Sequence, residues 1–236
     1  MTNIDYVGDE LSLFEEAHNW KAYLRKKLTP FIRGDVAEVG AGKGSTTLAL
    51  HGGTEVRSWL CIEPDAKLYD ELKALIPCHA TTHPTTLMHG TLRDLPNLPT
   101  FNTIIYIDVL EHIEDDAGEL IAAFERLEIG GRLVVLCPAF QAMYSPFDKA
   151  IGHFRRYTLR TLRAVAPKEL LVRRAYYLDS AGLLASLANK MFLRQSLPTA
   201  GQVQMWDRVI VPISRITDNL FKYFFGKSVL VIWEKT

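Results

Sequence analysis

One short stretch near the start of the chain limits the possible folds more than any other. Residues 36–47 read VAEVGAGKGSTT, so an apolar run leads into glycines at every second position and then into a helix-like segment. Glycine tolerates positive φ and lets a ligand approach backbone where a Cβ would collide. A helix that begins directly after the loop points its first N–H groups at that ligand. The pattern predicts a strand, a ligand-binding loop and a helix, as in α/β sheets with nucleotide-type sites.

Two common glycine motifs do not fit this loop. A P-loop has Ser or Thr directly after Gly-Lys, whereas Lys43 is followed by Gly44, and its earlier glycine position is Ala37. The dinucleotide motif has a glycine at its sixth place, which is Ser45 here. What remains is an acidic residue, Glu38, one spacer and then Gly-x-Gly-x-Gly.

Two other strings accompany the loop at separate places in the chain. An apolar run from Ser58 ends at Glu63, about twenty residues after the loop, where a carboxylate can accept hydrogen bonds from ribose hydroxyls. A second apolar run, from Phe101, ends in Asp-Val-Leu-Glu-His-Ile at residues 108–113. Together these strings resemble class I S-adenosylmethionine (SAM)-dependent methyltransferases. SAM is a cationic ligand, which agrees with a carboxylate beside the glycine loop.

The resemblance implies a set of cofactor-binding residues at the ends of these strands. An amphipathic helix predicted over residues 9–29 would lie across the same pocket, or would simply pack on the domain. At Thr91 the chain departs from the family, which has an acid there, so backbone at Leu92 or the Thr91 hydroxyl would serve adenine recognition. The implied SAM contacts are Trp20, Tyr23, Glu38, Gly40, Ala41, Gly42, Gly44, Glu63, Pro64, Thr91, Leu92, Asp108 and Val109.

A second set of candidates comes from the loop after the predicted fifth strand, over residues 138–158. This loop resembles a branch of bacterial methyltransferases that carry Gly-His-x-Arg-Arg-Tyr. We expect a general base at His153 or His112, since imidazole can take a proton from an acceptor nucleophile. The alternative is structural: Asp148 would pair with an arginine to fold the loop. The predicted acceptor-binding residues are Tyr144, Asp148, Arg155, Arg156 and Tyr157, and no metal site is predicted.

Alternating strand and helix patterns predict a single α/β domain over residues 1–236. We expect a Rossmann-like, seven-stranded, mostly parallel sheet with helices on both faces and an antiparallel last strand. Residues 1–33 would form a helical cap, 34–178 the core, 179–227 a helical insertion between strands 6 and 7, and 228–236 the last strand. Within the insertion we expect two helices, Ala181 to Leu193 and Val203 to Phe225.

The insertion carries an apolar stripe for which three uses remain open. It would cover the crevice as a lid, form a dimer interface or provide a lipid groove. A membrane-surface role is less favoured, because Asp207 and Asp218 offset the basic residues. The stripe consists of Val209, Ile213, Ile216, Leu220 and Phe224.

Composition narrows the function classes. The chain has 27 basic and 27 acidic residues, which predicts no nucleic-acid partner, with a local basic patch left open. Its three cysteines lack metal-ligand spacing, and no leader or membrane-spanning run is visible, so we expect a cytoplasmic monomer or homodimer. The predicted activity is SAM-dependent O-methylation of a small-molecule acceptor: a sugar, natural product or lipid-linked hydroxyl. The alternatives are N-methylation of an amine, a nucleotide-cofactor oxidoreductase and a non-catalytic SAM-fold binding protein.

Overall fold

The computed structural model describes residues 10–51, 55–76, 82–96, 99–192 and 199–236. Residues 1–9 of the predicted cap, Cys78 and the predicted helix end at Leu193 lie outside these ranges. The strands are β1 (Gly34–Val39), β2 (Val56–Glu63), β3 (Thr85–His89), β4 (Phe101–Ile107), β5 (Leu127–Pro138), β6 (Leu170–Leu178) and β7 (Ser228–Lys235). The helices are α1 (Glu10–Phe14), α2 (His18–Leu28), α3 (Ser45–Leu50), α4 (Ala66–Leu75), α5 (Asp116–Glu125), α6 (Pro146–Ala150), α7 (Leu159–Val165), α8 (Ser180–Phe192), α9 (Ala200–Met205) and α10 (Val211–Leu220).

The seven strands form one sheet in the order β3-β2-β1-β4-β5-β7-β6. Strands β1 to β5 pair in parallel, and β7 pairs antiparallel with both β5 and β6. The predicted fold class, a mostly parallel sheet with an antiparallel last strand, is confirmed. The order reverses between β1 and β4, and the carboxyl ends of parallel strands form a ligand crevice at such a point.

The sheet is buried on both faces, which explains why its strands read as continuous apolar runs. In β1, Ala37 and Val39 belong to the core on one face, and Val36 belongs to the core on the other. Side-chain caps fix the starts of the flanking helices: the Asp65 carboxylate accepts from Leu68 N at 2.8 Å, and Asp115 accepts from Gly118 N at 3.0 Å. These caps fix where α4 starts after β2 and where α5 starts after the turn that follows β4.

Two of the predicted helices are divided in the structure. The predicted helix from Val203 to Phe225 consists of α9, a π-helical turn at Trp206–Ile210 and α10, followed by positive φ at Lys222 and Tyr223. The helix predicted over residues 9–29 is likewise divided, into α1 and α2.

The predicted apolar stripe does not cover the crevice. Its members Ile216 and Leu220 are each 70 % exposed, while the buried face of α10 carries Val211, Ser214 and Asp218. The polar face packs inward because its carboxylate has internal donors, described below. No helix in the described part of the chain is long and apolar enough to cross a bilayer.

Candidate active site

A cavity of about 440 Å³ opens at the carboxyl ends of β1, β2 and β4. This size lies within the range of small-ligand and cofactor sites. The glycine loop and the end of β2 form one end of it, and the turn after β4 and the loop after β5 form the other. Phe14 and Trp20, from α1 and α2, contribute to its wall together with Trp206 from the insertion.

The glycine loop has no space for side chains at its critical positions. Gly40, Gly42 and Gly44 all have positive φ, at 69°, 56° and 88°. A Cβ on Gly40 would lie 2.5 Å from Cγ2 of Val109, and one on Gly44 would lie 2.6 Å from Leu72 Cδ1. The loop is therefore a cradle of exposed backbone that only glycine allows.

Two buried carboxyl groups flank this cradle. Glu38 accepts a hydrogen bond from Trp59 Nε1 at 2.9 Å, and burial raises its pKa to about 7. Glu63 accepts from the backbone N–H groups of Gly42 at 2.7 Å and Asp65 at 2.9 Å, and burial raises its pKa. Both residues line the cavity, and a carboxylate oxygen can accept more than one hydrogen bond, so this end suits a ligand with cationic and hydroxyl groups.

The opposite end holds a cluster of four titratable groups. Asp108, at φ 53°, faces the cavity, and burial raises its pKa to about 6 against the opposing effect of nearby basic side chains. His112 and His153 meet edge to face with ring centroids 4.5 Å apart, and burial lowers the pKa of His112 to about 3. His153 Nε2 lies 3.8 Å from Oε1 of the fully buried Glu111. Glu111, His112 and His153 offer one ligand atom each within 4.8 Å of one another, the spacing of a group that could hold a metal ion.

Asp148 does not line the cavity but holds the side chains of His153 and Arg156, which do. Its carboxylate accepts from His153 Nδ1 at 2.9 Å, from Arg156 Nε at 2.7 Å and from Ser145 Oγ at 2.8 Å. Burial alone would raise the pKa of Asp148, but these hydrogen bonds outweigh it and hold the pKa well below the usual range. Because an ionised carboxylate only accepts, Nδ1 of His153 donates to it, and in the neutral imidazole Nε2 then keeps a lone pair.

The structure brings most of the predicted cofactor residues to the cavity but leaves some away from it. Tyr23 is buried and donates its hydroxyl to Asp218 at 2.9 Å, Leu92 lies in the core, and Gly44 packs on Leu72 instead of lining the cavity. The predicted residues that line it are Trp20, Glu38, Gly40, Ala41, Gly42, Glu63, Pro64, Thr91, Asp108 and Val109.

Of the residues predicted in the loop after β5, only His153 and Arg156 line the cavity. Tyr144 donates to the His153 carbonyl at 2.6 Å, and Tyr157 donates to Asp116 at 2.7 Å. Arg155 pairs with Asp116 at 2.7 Å instead of facing the cavity. The other predicted residues therefore hold the loop in place, with Asp148 paired to Arg156 as the structural alternative describes.

Sequence reasoning missed Lys227, which lines the cavity beside Asp179 and Trp206. Its ammonium lies 5.0 Å from the Trp206 ring centroid, and burial lowers its pKa against the opposing charge of Asp179. The one available signal was a Gly-Lys pair directly before the last strand. Lys227 and Arg156 bring two basic side chains to the end of the cavity opposite the glycine loop.

Known proteins resemble this chain in part of its sequence and in its fold. No family model matches the chain. Over 118 residues it is 26% identical to a tRNA U34 carboxymethyltransferase of Shewanella denitrificans, a match that covers 50% of this chain and 36% of that protein.

Solved structures match over almost the whole chain. The N-methyltransferase NodS of Bradyrhizobium japonicum superposes with a TM-score of 0.56 at 13% identity, over 97% of this chain and 99% of that one. An S-adenosylmethionine-dependent methyltransferase of Clostridium acetobutylicum gives a TM-score of 0.56 at 10% identity, over 93% and 92% of the two chains. This chain has the class I methyltransferase fold. At such identities the likeness concerns the fold.

The curated relatives correct one prediction. We expected a small-molecule acceptor and no nucleic acid. This prediction is wrong, because the names of the curated relatives give position U34 of tRNA as the acceptor. A balanced overall charge was the reason for excluding nucleic acid. Net charge reports the sum over the surface, so it does not exclude a local basic region.

Proposed function

We propose that this chain is a SAM-dependent methyltransferase whose acceptor binds between His153 and Lys227. One observation carries the proposal: a glycine cradle with no space for a Cβ, flanked by two buried carboxyl groups, opens into the same cavity as the Asp148–His153 pair. A cofactor and an acceptor nucleophile can therefore meet inside one enclosed space.

The residues of the cradle suit SAM by charge and by shape. Glu63, at the end of β2, is placed to accept hydrogen bonds from ribose hydroxyls. Glu38 provides negative charge for a cationic ligand beside the backbone of Gly40 to Gly42. When bound, SAM supplies a methyl group already activated for transfer. The protein then has to orient the acceptor and exclude water.

His153 is the better of the two candidate bases. Asp148 holds its Nδ1 proton, so Nε2 presents a lone pair to the cavity and the carboxylate stabilises the imidazolium that forms. His112, with a pKa of about 3, is too weak a base to share this role. In transfer to oxygen, the acceptor loses its proton to Nε2 as the new C–O bond forms and the methyl–sulfur bond breaks. A base paired in this way favours a hydroxyl acceptor, since a neutral amine needs none.

Calorimetry tests the cofactor directly. We expect S-adenosylhomocysteine, the product of methyl transfer, to bind at micromolar or lower concentration and NAD not to bind. Binding of NAD without S-adenosylhomocysteine would indicate an oxidoreductase and overturn the proposal. Absence of both would also overturn it.

A second test separates catalysis from binding. His153→Ala should lower turnover about a hundredfold, the usual scale for loss of a general base, with little change in S-adenosylhomocysteine affinity. His18→Ala, on an exposed part of α2, is the matched control. If S-adenosylhomocysteine affinity falls with turnover, His153 serves the cofactor or the loop instead.

A tRNA acceptor is a second candidate, favoured by the names of the curated relatives. Because the match covers about a third of those proteins, it extends to this chain as a proposal only. Incubation with bulk tRNA and SAM labelled in its methyl group decides it: label in digested nucleosides supports tRNA. Absence of label, together with transfer to another acceptor in a cell extract, removes this candidate.

A further inference from the structure

We propose, first, that Glu111, His112 and His153 form a divalent metal site at the acceptor end of the cavity. This inference rests on the proposed function and changes the role of His153 in it: with an ion bound, Nε2 would be a metal ligand and would not take the acceptor's proton, which the ion would make acidic enough to leave to water. One buried carboxylate and two imidazoles, each with a ligand atom within 4.8 Å of the others, lie on the cavity wall. Such nitrogen and oxygen donors suit Zn²⁺, Fe²⁺ or Co²⁺.

The environment of Glu111 points to a ligand. Its side chain is fully buried, yet neither carboxylate oxygen accepts a hydrogen bond of normal geometry from the described residues. The donors beside it are its own backbone N–H and the Cys137 thiol, and thiols donate weakly. Buried carboxylates are normally paired or bound to metal.

The spacing agrees with a shared ion. His153 Nε2 and Glu111 Oε1 are 3.8 Å apart, which is too long for a hydrogen bond. It admits an ion at the usual distance of about 2.0–2.2 Å from each atom. Asp148 holds the other nitrogen of His153, as carboxylates do behind metal-bound histidines. An ion here would face the acceptor and lower the pKa of its hydroxyl.

Titration with Co²⁺ after chelator treatment tests this site without any need for turnover. We expect one equivalent to bind with visible absorption bands, and Glu111→Gln or His153→Ala to weaken binding at least about tenfold. His18→Ala should leave Co²⁺ binding unchanged. Equal binding by wild type and the Glu111→Gln/His153→Ala variant would overturn the proposal.

Retained S-adenosylhomocysteine affinity shows that each variant is folded. It also separates the two proposals: a protein that binds S-adenosylhomocysteine but no Co²⁺ lacks the metal site and keeps the cofactor site.

A different observation carries a second inference, on the surface of the insertion. Nine of the thirteen large apolar side chains exposed in the described part of the chain lie between residues 184 and 224. Six of them recur at three- and four-residue steps along α9, the π turn, α10 and the turn after it. The nine are Leu184, Leu187, Met205, Val209, Ile213, Ile216, Leu220, Phe221 and Phe224, called here the apolar face.

The exposed charges in the described part of the insertion have one sign. The acids of the insertion are Asp179, Asp207 and Asp218, and all three are buried with internal hydrogen-bond donors. Arg208 and Lys222 are exposed beside the face. The acids counted against a membrane-surface role in the sequence are therefore not on the surface at all.

We infer that the apolar face docks on an anionic lipid membrane. Aliphatic and phenylalanine side chains rimmed by lysine and arginine match the interfacial helices that lie in the headgroup region. A second copy of the chain would bring like charges together. Docking here would place Trp206 and the cavity mouth near the membrane, since the same insertion lines both.

Sedimentation with lipid vesicles tests the docking. We expect the protein to pellet with mixed phosphatidylcholine–phosphatidylglycerol vesicles, to pellet weakly with phosphatidylcholine alone, and to be released by salt. Ile216→Ser/Leu220→Ser should weaken binding about tenfold or more, given the apolar area that each side chain would bury. Ile129→Ser, at a residue 84 % exposed on β5, is the matched control.

Two outcomes would overturn the inference. In one, wild type stays in the supernatant with anionic vesicles. In the other, Ile216→Ser/Leu220→Ser and wild type pellet equally. Concentration-dependent dimers that disappear in Ile216→Ser/Leu220→Ser, without vesicle binding, would assign the face to a second copy.

Discussion

At the scale of single residues, Glu63 does two things at once. It holds the glycine loop through Gly42 N and is placed to meet the cofactor. We predict that Glu63→Ala raises the Kd of S-adenosylhomocysteine about tenfold or more, since one or two charge-assisted hydrogen bonds of roughly 1.5–3 kcal/mol each are lost. Calorimetry measures this. Glu128→Ala, at an exposed site on β5, is the control, and an unchanged Kd would remove Glu63 from the site.

Glu38 gives the cofactor site a pH dependence with a definite sign. Burial raises its pKa to about 7, so the carboxyl is protonated below that pH and ionised above it. The ammonium group of S-adenosylhomocysteine is attracted by the ionised form, and the apparent Kd rises as that form becomes scarce. We predict that the Kd of S-adenosylhomocysteine falls roughly tenfold from about pH 6 to about pH 8.

Glu38→Gln is the control for this prediction and should flatten the profile. The same carboxyl also makes stability fall as pH rises from its unfolded value of 4.5 to about 7, because the folded state holds the proton more tightly. A wild-type binding profile as flat as that of Glu38→Gln would contradict the assignment.

At the scale of elements, the strand–loop–helix unit depends on close approach between β1 and the turn after β4. Gly40→Ala would place a Cβ 2.5 Å from Val109 Cγ2 at a φ of 69°. We predict loss of S-adenosylhomocysteine binding by about tenfold or more, because the cradle must move apart. Gly130→Ala has a similar φ of 77° but open space around it, so it isolates backbone strain from collision. Equal effects of the two substitutions on binding would contradict this reading.

Some of these elements could be predicted from the sequence and others could not. Apolar runs of strand length and the glycine spacing are local signals, and they predicted β1, β2, β4 and the glycine loop. The role of Asp148 could not be predicted from local sequence. Binding an acceptor and pairing with an arginine differ only in which partner lies close to the carboxylate in the fold. Which face of α10 packs inward could not be predicted for a related reason. Its polar face holds Asp218, which packs inward because Tyr23 and the backbone at Asp179 and Ser180 donate to it.

At the scale of the whole molecule, the insertion and the N-terminal helices are held together by buried acids that act as helix caps from a distance. Asp218 on α10 accepts from the backbone N–H groups of Asp179 and Ser180, where α8 begins. Asp207 accepts from the N–H groups of Asn19 and Trp20 in the first turn of α2. The residue before that helix, Ala17, has no side chain able to cap it. Partners 188 residues apart leave no pattern in one sequence.

This long-range cap links stability to the cofactor site. Asp207→Ala would leave the buried Trp20 N–H without an acceptor, and we predict a loss of about 2 kcal/mol in the free energy of unfolding, near the upper range for a cap. Because Trp20 lines the cavity, S-adenosylhomocysteine affinity should fall in the same variant. Urea unfolding and calorimetry measure the two effects, with Asp70→Ala, at an exposed acid of α4, as the control. A change in the free energy of unfolding below about 0.5 kcal/mol, the usual range for surface substitutions, would show that α2 is stable without this contact to the insertion.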